Sequence, residues 1–72
     1  MSFQAYLDNV QARTGKSPDE LKVLARAAGL VEGDDLKAGV KATQVTDWLK
    51  SEFDLGHGHA MSIYAYFKGK RG

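Results

Sequence analysis

No cysteine occurs among the 72 residues, which excludes disulfides and every thiolate metal site. Long apolar runs are also missing: no stretch approaches the ~18 residues that a membrane helix needs. The opening MSFQAYLDNV has no basic flank, no continuous apolar run and no small-residue cleavage tail, so a signal peptide is not expected. These absences together predict a cytoplasmic protein without membrane association. Charge of one sign is scarce too, with a net charge of +1 spread evenly along the chain. Only the tail FKGKRG is locally basic, through Lys68, Lys70 and Arg71, and nucleic-acid binders usually carry a wider stripe than that.

What is present is an ordinary globular composition, 43% hydrophobic and 26% charged, which argues against disorder. A chain of this length makes one small domain and buries roughly 60% of the surface it exposes unfolded. Its stability is therefore expected to be modest.

The punctuation predicts an all-α fold, a small four-helix domain over residues 1–72. Phe3, Tyr6, Leu7 and Val10 follow the i, i+3, i+4, i+7 rhythm of one helical face, giving a helix over about 3–14. Ser2 is its expected cap, with Met1 and Tyr6 as a hydrophobic staple, and Gly15 its stop. SPDE at 17–20 combines a Ser17 cap, Pro18 at the first helical position and Glu20 closing a capping box, so a second helix runs over about 18–28. Its expected buried stripe is Leu21, Leu24, Ala25 and Ala28, with Val23 at the edge and Gly29 at the end. Residues 30–42 read as a long loop with Leu30, Val31 and Leu36 tucked onto the core. Gly33-Asp34-Asp35 lacks the alternating oxygen ligands and closing glutamate of a calcium loop.

Val45, Trp48, Leu49 and Phe53 mark a third helix over about 43–54. Trp48 is assigned a structural role as the largest contributor to burial, with an indole N–H that needs a partner if enclosed. Ala60, Ile63, Tyr64 and Phe67 mark a fourth over about 58–68, with Met61 and Ala65 widening the stripe and Tyr66 half exposed. A tight glycine-rich turn joins the last two helices. In it Gly56 is expected to end the third helix in a left-handed conformation, and Gly58 or a neighbour to start the fourth.

The opening FQAYLDNVQARTGKSP, the Trp48-Leu49-Lys50 step and the Leu55-to-Met61 turn resemble a bacterial family of domains of unknown function, DUF4287. The resemblance covers most of the chain, although GDDLKAGVKATQV in the middle is longer than the family's usual link into the third helix. It implies a small all-helical domain and no particular activity.

The motif with the most chemistry in it is GHGHA at 56–60. Two histidines one residue apart suit zinc, copper or nickel, but a structural zinc needs four ligands and a catalytic one three plus water. Asp47, Glu52 and Asp54 lie near in sequence without diagnostic spacing, so no metal and no cofactor are expected. Ser62 after His59 is a contact any helix provides, and so small a domain has little room for a closed cleft; an enzyme is not expected. Glycines ahead of a helix let an anion approach the free amides, and the spacing is similar to that of helix-hairpin-helix turns that hold a DNA phosphate. Gly56, Gly58 and His59, with Lys68, Lys70 and Arg71, are thus candidate residues for binding nucleic acid or phosphate. The plainer reading is a helix-to-helix corner in which His59 is held structurally by the backbone or by Asp54, and His57 is exposed. On balance the sequence predicts a non-catalytic interaction module for a protein partner or for itself, with nucleic-acid binding as the alternative.

Overall fold

A computed structural model describes residues 2–33 and 35–70. Among them are four helices and one small hairpin: α1 (Phe3–Thr14), α2 (Pro18–Ala27), β1 (Val31–Glu32), β2 (Asp35–Leu36), α3 (Ala42–Phe53) and α4 (His57–Phe67). The fold is mostly helical, as the periodicity requires, and each expected helix lies within about one residue of its predicted bounds, as helix ends generally do.

The caps explain the bounds. Ser2 Oγ accepts from the Ala5 amide at 3.2 Å, while Met1, the other half of the expected staple, lies outside the described residues. At α2 the capping box is complete: Ser17 Oγ accepts from the Glu20 amide at 3.1 Å, and Glu20 Oε1 accepts from the Ser17 amide at 3.0 Å. The bond from the Ser17 amide, and after it the Ser17 side chain, hold the Glu20 carboxyl below the ordinary range, with Lys16 adding a smaller pull. Lysine has no acceptor to cap α3, so Gln44 does the work from inside the helix, its Oε1 accepting from the Lys41 amide at 2.8 Å. Gly29, at φ +83°, ends α2 in a Schellman turn, where the Leu30 amide donates to the Ala25 carbonyl at 2.9 Å and the Gly29 amide to Arg26 at 3.1 Å.

The expected loop over 30–42 is corrected by the hairpin within it. Val31 pairs with Leu36 and Glu32 with Asp35 in antiparallel register, and Arg26 Nη2 donates to the Gly33 carbonyl at 2.7 Å. Strands of two residues show no alternation, so periodicity could not announce them. Gly33-Asp34, a two-residue turn pair between short segments, was the available signal. Val31 is buried and Leu30 and Leu36 pack against the core, as the apolar pattern suggested.

That core is Leu7 and Val10 of α1, Leu21 and Ala25 of α2, Val31, Val45 and Leu49 of α3, Leu55, and Ala60, Ile63 and Phe67 of α4. Its centre is α4, which packs chiefly on α3 and α1. Tyr66 is half-buried and donates its hydroxyl hydrogen to Asp19 Oδ1, tying the end of α4 to the start of α2. The hairpin lies on α2 and draws its buried face toward Lys22. The inward residues are consequently Leu21, Lys22 and Ala25; Leu24 and Ala28, expected inside, are exposed. Met61, expected to widen the stripe of α4, is exposed as well.

Candidate functional site

Two surfaces concentrate features that the core does not require: the α3–α4 corner, and the outward face of α2.

At the corner the left-handed residue is Asp54, with φ +54° and ψ +37°, and its amide donates to the Lys50 carbonyl at 3.1 Å. This corrects the assignment of Gly56. Gly56 is extended, at φ −70° and ψ 167°, and is the N-cap of α4, accepting the first helical bond from the Ala60 amide at 2.9 Å. The reason is spacing: α3 closes one turn after Lys50, and buried Leu55 must point inward before α4 begins. Gly58 sits in the first turn of α4 against the ring of Tyr6, where an added Cβ would meet Tyr6 Cε1 at 3.4 Å.

His59 is half-buried, and its ring meets Tyr6 edge-on at 5.2 Å between centroids and 75° between planes. No hydrogen bond from the ring to the backbone or to Asp54 is formed among the described residues, so His59 is held by an aromatic contact where a polar one was expected. His57 is exposed. Among the described residues no three His, Asp or Glu side chains converge to hold a metal ion.

The remaining candidates for anion binding lie elsewhere. Lys68 caps the far end of α4, its Nζ 5.5 Å from the Tyr64 ring centroid. Lys70 closes a second Schellman turn through the Ala65 carbonyl, and its Nζ stands 4.9 Å over the Phe3 ring. Arg71 lies outside the described residues. Lys68 follows Gly58 by ten residues along α4, a rise of about 15 Å. The backbone of Lys68 thus stands at the opposite end of α4 from Gly56, Gly58 and His59, whereas the Lys70 ammonium turns back onto α1 at Phe3.

Trp48 is half-buried at the margin of the core, stacked edge-to-face on Phe53 at 5.4 Å and 81°. Phe67 is the largest fully buried side chain, which corrects the expectation for Trp48. No buried side-chain nitrogen or oxygen among the described residues lacks a partner, so the indole N–H reaches solvent.

The surface that sequence reasoning overlooked is on α2. Val23 is 57% exposed and Leu24 37%, and with Lys16 and Glu20 they line a shallow open depression of about 230 Å³. That is less than the ~300–1,000 Å³ of a typical small-molecule pocket. Ala27 and Ala28 continue the exposed strip. The signal was there: Leu21, Val23, Leu24, Ala25, Ala27 and Ala28 occupy more of the helix circumference than one core contact can cover.

A small, mostly helical domain carrying one short two-stranded hairpin is the class that the fold defines. The family described as Domain of unknown function (DUF4287) matches residues 2–69, and the chain belongs to it. No curated protein and no solved structure matches the chain. No helix among the described residues is long and apolar enough to cross a membrane.

Proposed function

We propose that this domain is a non-catalytic interaction module that presents the outward face of α2 to a protein partner. The observation that carries the reading is the exposure of Val23 and Leu24 side by side on a helix whose opposite face is already buried. In a domain small enough that its core is modest, two adjacent branched side chains left in water favour a use for them. The polar rim of Lys16 and Glu20 around an apolar centre has the anatomy of an interaction patch.

A photo-crosslinking amino acid placed at position 23, in cells making the full chain, tests this. Adducts are expected from position 23 and not from exposed Lys50 on α3. An equal pattern at both positions, or none at either, would refute the reading. In gel-shift titrations at low and moderate salt, duplex and single-stranded DNA are expected to remain unbound. A salt-sensitive shift lost on replacing Lys68 and Lys70 by alanine would point to nucleic acid instead.

A further inference from the structure

Resting on that reading, we infer that the occupant of the α2 face is a second copy of the same helix, docked antiparallel about a twofold axis near Val23.

The geometry is that of a helix seam. Glu20, Val23, Leu24, Ala27 and Ala28 fall at i, i+3, i+4, i+7 and i+8, and all five are exposed. Two branched residues at the middle supply the knobs, and the two alanines toward the C-terminal end let the backbones approach closely. Reversing one helix on the other sets Val23 and Leu24 of one copy against Val23 and Leu24 of the other, with alanines facing the Glu20 stems.

Charge selects this arrangement over a parallel one. The acids of α2, Asp19 and Glu20, lie in its first turn, and Arg26 lies in its last. Antiparallel pairing puts the acids of each copy beside Arg26 of the other and opposes the two helix dipoles favourably. Parallel pairing would place acid against acid and Arg26 against Arg26. All three groups retain capacity: Arg26 spends one donor of its guanidinium on Gly33, and Asp19 and Glu20 each accept through one named oxygen, from Tyr66 and from Ser17.

Size sets the strength. Ten residues give a strip about 15 Å long and 10 Å wide, well short of the ~800 Å² per partner of a standard interface. The dimer is accordingly weak and in rapid exchange, with a Kd on the order of 10⁻⁴ to 10⁻³ M.

The test is a concentration series of the purified full chain from ~20 μM to ~2 mM, bracketing that Kd, followed by amide NMR shifts and sedimentation equilibrium. The expected result is saturable movement of amides over 19–28 and a weight-average mass rising from 7.9 kDa toward twice that value. Val23→Asp should abolish both while melting like the parent, since the side chain is mostly in water. Arg26→Glu should weaken association by about fivefold or more, because like charges then meet across the axis. Should either variant lose its fold, the other still decides. A monomer throughout the series, shifts confined to another surface, or association indifferent to both substitutions would overturn the inference. Crosslinking in cells separates the two levels: adducts from position 23 to a different protein, with a monomer throughout the series, end the self-pairing and leave the interaction reading intact, whereas no adduct together with a monomer throughout the series ends both.

Discussion

Asp54 is the only described non-glycine residue with positive φ, and replacing it isolates what the α3–α4 corner costs. Left-handed backbone is unfavourable by about 1–2 kcal/mol for an ordinary L-residue and by less for aspartate, whose short side chain tolerates it. The carboxylate also stands at the negative end of α3, a further unfavourable contribution of about 0.3–1 kcal/mol. Asp54→Gly removes both. It also frees the unfolded chain, which subtracts about 0.4–1 kcal/mol. The net expectation is a gain of about 0.5–1 kcal/mol, seen as a rise of about 2–8 °C in the midpoint of a thermal melt followed by circular dichroism. Asp54→Asn keeps a residue suited to this backbone and removes only charge, so it should gain about 0.3–1 kcal/mol, shrinking at high salt. Asp54→Ala should fall below both, since its methyl group meets the strain without the aspartate's tolerance. The reasoning fails if glycine and asparagine both destabilise. That outcome would mean the carboxylate, two residues before the Gly56 cap, stabilises the free amides of α4 more than it disturbs α3.

The helices were legible because each carries redundant local signals. Ser17-Pro18-Asp19-Glu20 names a helix start in four consecutive residues, and all four take the positions their chemistry dictates. What local pattern cannot supply is which side of a helix the rest of the chain chooses to cover. On α2, Leu24 and Ala28 complete a plausible inward stripe, but a hairpin of four paired residues lies against the helix and rotates that stripe toward Lys22. The same limit hid the candidate surface, because an exposed Val23 and Leu24 exist only once the core has been allotted. At the corner, glycine was the natural choice for a left-handed residue. The rule was sound, but three turn positions were available, and the inward demand of Leu55 decided between them. The histidines drew attention for their metal chemistry. The structure gives one of them an aromatic neighbour from α1, 53 positions away in sequence (Tyr6 to His59), a contact no spacing rule anticipates.

Three further outcomes are expected. Trp48→Ala should cost about 1.5–2.5 kcal/mol, roughly half the loss for a fully enclosed tryptophan, and leave a folded variant with a lower melting midpoint; complete unfolding would place the ring deeper than it lies. Gly58→Ala should stabilise by up to about 0.5–1 kcal/mol, since alanine is the better helix former and its Cβ would only touch the Tyr6 ring; a loss in urea melts would show that this ring cannot yield. The last concerns Glu20, whose bonds to Ser17 lower its carboxyl pKa in the folded state. A depressed folded pKa means the unfolded chain binds the proton more readily, so acid favours unfolding. The contribution is complete above the unfolded value of about 4.3 and is lost as pH falls through the lower folded one. Glu20→Gln cannot ionise and lacks this dependence. Wild type should therefore exceed the variant by a constant margin at neutral pH, and the margin should close below about pH 4.5. Comparing the two by urea melts from about pH 7 to 3 cancels the other carboxylates. A margin that stays flat to the acid end would mean that the box holds Glu20 by geometry alone, with no preference for its charged form.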